Sequence, residues 1–124
     1  TRVRSSAASD VYKRQVRNLA ANTMTEVIGT FVLVFGLLAF GANTFTDGLN
    51  PIVVGILILA IGLSLGGPTG YAINPARDLG PRIAHQILPI KNKGTSDWGY
   101  AFVPIIGPFI GAALAAGLFM ILPL

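Results

Sequence analysis

Three polar features lie in or beside long apolar stretches of this chain: Glu26, the run Asn74–Asp78 (Asn-Pro-Ala-Arg-Asp), and Arg82. A charge at the centre of a bilayer costs on the order of 3 kcal/mol or more, so each of these side chains should face protein or water. Ionisable residues inside apolar segments usually mark a functional site. We therefore take these residues as the first candidates for chemistry.

The run that begins at Asn74 has the pattern of a helix start. Asn74 is suited to cap the helix, and Pro75 is suited to be its first residue. The first turn of a helix presents N–H groups and about half a positive charge, and the Arg77 guanidinium adds a full charge and further donors. Such a helix end would repel a cation or a hydronium ion and would donate hydrogen bonds to a neutral hydroxylated molecule.

The backbone that precedes Asn74 could supply acceptors, through the carbonyl groups of Gly70, Tyr71 and Ala72. Donors on one wall and acceptors on the other suit water or a polyol. An anion site at the helix N-terminus is the alternative, and one arginine in apolar surroundings allows it. The residues favour the neutral solute.

The composition limits the class of protein that carries these groups and the kinds of site that it can have. Hydrophobic residues make up 52% of the 124 residues and charged residues only 11%, against about 25% in soluble domains. With a mean hydropathy of +0.67, this excludes a soluble globular domain and a disordered chain. The absence of cysteine and the single histidine exclude disulfides, thiolate metal sites, cysteine nucleophiles and histidine metal pairs. Most of the net charge of +4 lies in residues 1–15, so nucleic-acid binding is not expected.

Three apolar segments are predicted to cross a membrane, which takes about 20 helical residues. The first runs from Leu19 to Ala42, and the third from Trp98 to Leu122, with Trp98 and Tyr100 as interfacial anchors. The second, Ile52 to Leu65, follows a turn, with Asn50 as its predicted cap and Pro51 as its first residue. A buried helix of a soluble protein is the alternative for this shorter segment.

The sequence between the second and third segments predicts a re-entrant loop. Gly66, Gly67, Pro68 and Gly70 predict a non-helical backbone, after which a short helix starts at Pro75 and ends near residues 88–89. Non-helical backbone at membrane depth requires protein or a water-filled cavity to receive its polar groups. The segment therefore implies a cavity.

Two pairs of glycines recur at helical spacing, Gly62 with Gly66 and Gly107 with Gly111, and Ala115 continues the second ridge. Small residues four positions apart allow helices to approach closely within a membrane. We predict helix packing at both pairs.

The run GGPTGYAINPARDLGPR is similar to the second half of the aquaporin (major intrinsic protein) family, and within it to the aquaglyceroporin branch. The resemblance covers residues 18–124. It implies an all-α membrane protein: three transmembrane helices plus one re-entrant half-helix, which form one inverted repeat of a six-helix channel. It also implies a multi-pass protein of the cell membrane that passively conducts glycerol, other small polyols and water and excludes protons and ions. Such a protein is not an enzyme and needs no cofactor or metal.

Carried onto this chain, the resemblance makes Asn74 a donor to the passing hydroxyl group and Arg77 the selectivity-filter arginine. Gly62 matches a filter position that is histidine in many water-selective members, and Tyr71 matches an aromatic filter position of glycerol-conducting members. A glycine at position 62 would widen the passage for a carbon chain. The positions that would line the passage are Gly62, Gly70, Tyr71, Ala72, Asn74, Pro75, Ala76 and Arg77.

Other positions match residues that would support the passage. Glu26 matches a buried glutamate that accepts hydrogen bonds from the half-helix loop, and Asp78 would brace the loop that bears the filter arginine. Asp78 and Arg82, together with Pro104-Ile105 in the last span, also match the glycerol-type pattern. His85 is expected to have a packing role.

The first half of the family pattern, with its own Asn-Pro-Ala motif, is absent from this sequence. Asn50-Pro51 does not replace it, because Ile52 follows and the pair opens a full span. The expected partners are therefore the lipid bilayer, a missing N-terminal half and, in the full-length protein, three further copies in a homotetramer, besides glycerol and water. The chain alone is expected to be poorly stable and not to conduct.

Several alternatives remain open from the sequence. The complete channel could be strictly water-selective, or the chain could be a non-conducting membrane fragment. An enzyme would have to use Glu26 with His85, which is a poor acid–base pair. Lys91 and Lys93 would place their loop on the inside by charge bias, whereas the family places it outside, and we follow the family.

The leader differs from the rest of the chain. Residues 5–15, SSAASDVYKRQ, read like the in-frame translation of a sequencing-library adapter and lack the apolar core of a targeting peptide. We predict that residues 1–15 are a non-native or disordered leader and that residues 16–124 form the C-terminal half of a channel.

Overall fold

Four helices and one short 3-10 turn follow one another along residues 18–124, the part of the chain that the computed structural model describes. Their bounds are Leu19–Gly41 for α1, Leu49–Thr69 for α2, Pro75–Ile87 for α3, Trp98–Tyr100 for the 3-10 turn and Val103–Ile121 for α4. No strand occurs in these residues, and the predicted all-α fold is confirmed. The prediction for residues 1–15 lies outside the described residues.

Three of these elements are long and apolar enough to cross a membrane: α1, α2 and the segment Trp98–Ile121. Asn18 caps α1 by accepting a hydrogen bond from the Ala21 N–H at 3.1 Å. The shorter α3 lies between the second and third spans, so the predicted order of two spans, half-helix and third span is confirmed.

The start of α2 differs from the prediction. Asn50 does not cap this helix, which begins at Leu49 directly after Gly48 in the left-handed region at φ +80°. Pro51 is therefore the third helical residue instead of the first. This position tolerates proline because the N–H groups of the first helical turn have no partner within the helix.

The end of α2 also differs, because Gly66, Gly67 and Pro68 are helical and the prediction of a non-helical backbone there is wrong. Pro68 is the next-to-last residue of the helix, so its missing N–H and its ring affect only the final turn. The helix ends at Gly70, whose N–H reaches the Gly66 carbonyl at 2.9 Å and whose φ is +70°. The non-helical segment is thus confined to residues 70–74.

Helix α4 packs along α1, and α2 has a smaller interface with α1. Tyr100 is buried, with 2% of its surface exposed, so its predicted role as an interfacial anchor is wrong. Trp98 is exposed, and its Nε1 donates to Gln86 Oε1 at 3.3 Å. The buried hydrophobic residues come from α2, the loop after it, the 3-10 turn with the residue after it, and α4: Ile61, Ile73, Tyr100, Ala101, Val103 and Ala115. The buried residues of α1 are Asn22, Glu26, Gly29 and Thr30.

Candidate functional site

The N-terminus of α3 has the predicted cap. Asn74 is extended, at φ −160° and ψ 120°, and its Oδ1 accepts from the Ala76 N–H at 2.9 Å. Pro75 is the first helical residue. Because Oδ1 is used in the cap, the NH2 group is the part of the Asn74 side chain that can donate to a solute. Asn74 and Arg77 both lie on an exposed face of the described residues.

The loop that precedes this helix has an unusual backbone. Tyr71 and Ile73 have φ values of +43° and +40°, in the left-handed region that side chains other than glycine rarely adopt. Such conformations cost on the order of 1–3 kcal/mol each and persist only where their surroundings hold them. The loop therefore depends on contacts from other elements.

Glu26 of α1 supplies one of these contacts. Its Oε2 accepts from the Ile73 N–H at 2.6 Å, and its Oε1 accepts from the Ala72 N–H at 3.2 Å. The carboxylate also interacts with the side chain of Thr69 at the end of α2. With only 1% of its surface exposed, Glu26 joins α1 to the loop from the interior side.

Arg77 and Tyr71 contact each other in two ways. The Arg77 guanidinium carbon lies 4.5 Å from the centroid of the Tyr71 ring, which is a cation–π distance. The Nη1 of Arg77 also donates to the Tyr71 carbonyl oxygen at 3.2 Å. This carbonyl, predicted as an acceptor for solute, is therefore already bonded on one side, which leaves one lone pair for a solute.

The Tyr71 ring also lies against two glycines of α2. A Cβ at Gly62 would lie 3.2 Å from Cζ of the ring, and one at Gly66 would lie 2.9 Å from Cδ1. The prediction that this pair packs against another helix is therefore wrong, because the neighbour is an aromatic side chain of the loop. A concavity of about 390 Å³ opens beside it, lined by Gly55, Ile58, Leu59, Gly62, Leu63 and Tyr71.

Arg82 is fully buried and does not face this concave surface. Its guanidinium pairs with Asp78 one turn earlier, with Nε–Oδ2 and Nη2–Oδ1 distances of 2.9 and 2.8 Å. Its Nη1 donates to the carbonyl oxygens of Ser96 and Asp97, each at 2.6 Å. Arg82 thus ties α3 to the segment that leads into α4, a role that sequence reasoning missed although the spacing of Asp78 and Arg82 is typical of a helical ion pair.

Sequence reasoning also missed the structural role of Lys93. Its ammonium group donates to the carbonyl oxygens of His85, Gln86 and Leu88 at 2.8–2.9 Å, and so covers the C-terminus of α3. His85 Nδ1 lies 2.9 Å from Ser96 Oγ. Glu26 and His85, the pair that an enzyme would have needed, thus have different partners.

The structure brings Gly62, Tyr71 and Arg77 into one contiguous group, with Asn74 at the start of the same helix as Arg77. Gly70 ends α2, and Ala72 is held by Glu26. Pro75 is partly exposed and Ala76 is exposed. The arrangement is a positively charged helix end beside a concave glycine surface, and it can donate hydrogen bonds to an uncharged solute.

Comparison with known proteins agrees with the resemblance found in the sequence. The family model described as "Major intrinsic protein" matches residues 2–119. Glycerol uptake facilitator protein 3 of Lactiplantibacillus plantarum is 73% identical over 108 residues, which are 87% of this chain and 45% of that protein. The glycerol uptake facilitator protein of Bacillus subtilis is 70% identical over 93 residues, which are 75% of this chain and 34% of that protein.

A further relative from Lactiplantibacillus plantarum, named D/L-lactic acid transporter, is 57% identical over 102 residues, which are 82% of this chain and 42% of that protein. The chain thus spans less than half the length of these curated relatives.

Proposed function

Because this chain belongs to the major intrinsic protein family, we propose that the whole protein of which it is a part is a passive channel for glycerol and other small neutral polyols, with water. The three long apolar helices fit a multi-pass protein of the cell membrane. Relatives named as glycerol uptake facilitators, at 57–73% identity, support glycerol as the solute.

The observation that carries this proposal is the group formed by Gly62, Tyr71 and Arg77. Arg77 is fixed over the Tyr71 ring and keeps a full positive charge at the start of α3. Cations and hydronium ions are repelled there, whereas a hydroxyl group can accept from the guanidinium. Since Gly62 carries no side chain, the passage keeps room for a three-carbon molecule beside the ring.

Asn74 adds a second donor through its NH2 group, at the other end of the first turn of α3. Gly70, Tyr71 and Ala72 provide backbone carbonyl groups to the same solute, and Glu26 and Asp78 support the loop and the helix from the interior. Pro75 and Ala76 pack against the other half of the complete channel. No covalent step is needed, and we propose transport without enzymatic activity.

The remaining wall of the passage comes from the other half of the complete protein, and the complete protein forms a homotetramer. Residues 18–124 alone expose Asn74 and Arg77 along one side, so this half is not expected to conduct.

The test uses the complete protein that carries this chain, reconstituted in liposomes. In an inward glycerol gradient, stopped-flow light scattering should show glycerol entry well above that of empty liposomes, with no proton or potassium conductance. Residues 18–124 reconstituted alone serve as the control and should match empty liposomes. Water flux without glycerol flux in the complete protein would instead support a water-selective channel and refute the glycerol proposal.

Passage of undissociated lactic acid is a second candidate function, favoured by the relative named D/L-lactic acid transporter. The undissociated acid is neutral and hydroxylated, so the same donors can serve it. In the same liposomes, its uptake should increase as the pH falls and the protonated fraction grows. Uptake that instead follows the concentration of the lactate anion would contradict a passage for neutral solutes.

A further inference from the structure

Gly66 has a neighbour that its position in a long apolar helix does not predict. A Cβ at this residue would lie 2.9 Å from Cδ1 and 3.4 Å from Cε1 of the Tyr71 ring. Real Cβ atoms essentially never approach another atom this closely, so any side chain at position 66 must displace the ring. The next residue, Gly67, is different, since nothing else in the described chain lies within 4 Å of a Cβ placed there.

The ring that lies on Gly66 is connected to the filter arginine. The Arg77 guanidinium carbon lies 4.5 Å from the ring centroid, and the Tyr71 carbonyl accepts from Arg77 Nη1 at 3.2 Å. The Tyr71 ring therefore contacts both Gly66 and Arg77, and the glycine sets how closely the ring approaches α2. A ring displaced from α2 also changes the position of the guanidinium.

We propose that Gly66 is a positioning residue of the selectivity filter, which acts through the Tyr71 ring on the width of the passage. This inference rests on the proposed function as a glycerol channel. The ring also lies close to the α2 backbone at Gly62, since a Cβ added there would lie 3.2–3.4 Å from three ring atoms. A methyl group at position 66 therefore pushes the ring away from α2, into the space beside Arg77.

The first experiment compares Gly66→Ala with Gly67→Ala in the complete protein in liposomes. Both changes add one methyl group to the same turn of α2 and have the same effect on helix propensity, but only Gly66→Ala meets the ring. We expect glycerol permeability to fall by roughly tenfold in Gly66→Ala, which is what one methylene does in a close-fitting pocket, while water permeability changes less. Gly67→Ala should keep the glycerol-to-water ratio of the wild type.

A double variant separates positioning from a general structural effect. Tyr71→Val removes Cδ1, the atom that the new methyl group would meet, so adding Gly66→Ala to Tyr71→Val should cause no further change in the permeability ratio. An equal loss of glycerol and water flux in Gly66→Ala, or the same additional loss in the Tyr71→Val background, would overturn the proposal.

A spectroscopic measurement tests the contact without using transport. In protein labelled with 3-fluorotyrosine, the Tyr71 fluorine resonance is assigned by its loss in Tyr71→Phe. It should shift in Gly66→Ala and stay in place in Gly67→Ala; the same position in both variants would refute the contact. If the wild type conducts no glycerol, the proposed function fails, and the fluorine result still decides whether Gly66 positions the ring.

Discussion

Two pairs of glycines with the same four-residue spacing have different neighbours in this molecule. A Cβ at Gly111 of α4 would clash with the Val27 carbonyl oxygen and lie 3.0 Å from the Phe31 nitrogen, both in the α1 backbone. A Cβ at Gly66 of α2 would instead meet the ring of a loop side chain. We call the first region the α1–α4 interface and the second the glycine face of α2.

The two regions differ in whether the group that contacts the glycines can move. A backbone carbonyl within a helix cannot shift without moving the helix, so Gly107 and Gly111 fix the distance between α1 and α4. A tyrosine ring can turn or shift, so Gly62 and Gly66 fix the position of one side chain. The spacing of small residues predicts a close approach but does not predict which group approaches. The α1–α4 interface maintains the fold, and the glycine face shapes the candidate passage.

The largest loss of stability is expected from Arg82→Leu, for which Arg77→Leu on the same helix is the matched control. Arg82→Leu removes a buried guanidinium and leaves Asp78 buried without its ion-pair partner, which should lower the free energy of unfolding by about 3–5 kcal/mol. Arg77→Leu, on the exposed side of the same helix, should leave the unfolding temperature almost unchanged but reduce glycerol selectivity over ions. Thermal unfolding of the complete protein in detergent measures the first effect, and equal destabilisation by both would show that the buried and exposed sides of α3 do not differ in their contribution to stability.

A smaller loss of stability is expected when alanine replaces a glycine at the α1–α4 interface. Gly111→Ala forces the new methyl group against the α1 backbone and should cost about 1–3 kcal/mol. Gly117→Ala on the same helix is the control, because no described residue lies within 4 Å of its Cβ position. Chemical unfolding of the two variants measures the difference. Stability of Gly111→Ala equal to that of Gly117→Ala would show that the interface can relax after all.

Glu26→Gln tests the residue that connects the two regions. The amide keeps the size of the side chain, but one of its ends is a donor and cannot accept from both the Ala72 and the Ile73 N–H groups. We expect a loss of about 1–3 kcal/mol in the free energy of unfolding, together with slower glycerol flux, because the strained loop loses an acceptor. Thr25→Val is the control, since the Thr25 hydroxyl bonds only the Ala21 carbonyl of its own helix. Wild-type flux and stability in Glu26→Gln would mean that the loop holds its conformation without the carboxylate.

The smallest effect on stability and the most specific effect on selectivity are expected from Gly62→His. The new side chain must share the space of the Tyr71 ring, which lies 3.2–3.4 Å from the Cβ position. Glycerol flux should fall by about tenfold and water flux by less, with the unfolding temperature close to that of the wild type. Equal losses of both fluxes would remove the size argument for this glycine.

Part of this structure could be predicted from residues that are neighbours in the sequence. The Asn74 cap and Pro75 at the first helical position depend on neighbouring residues only, and both were predicted. Pro68 was placed outside the helix, but it lies in the last turn of the helix that ends one residue later. The burial of Arg82 depends on Ser96 and Asp97, and the position of Tyr71 depends on two glycines of another element. The spacing of Asp78 with Arg82 and that of the two glycines indicate a contact, but the distant groups that complete each contact cannot be identified from the spacing.

Lys93 has a consequence for the electric field around α3. The dipole of a free helix has a negative end that attracts cations, but here three carbonyl oxygens at that end are covered by an ammonium group. The partial positive charge at Asn74 is not matched by an exposed partial negative charge at the opposite end. A cation that approaches the C-terminus of α3 therefore meets the Lys93 ammonium group and no free carbonyl oxygens at these three residues.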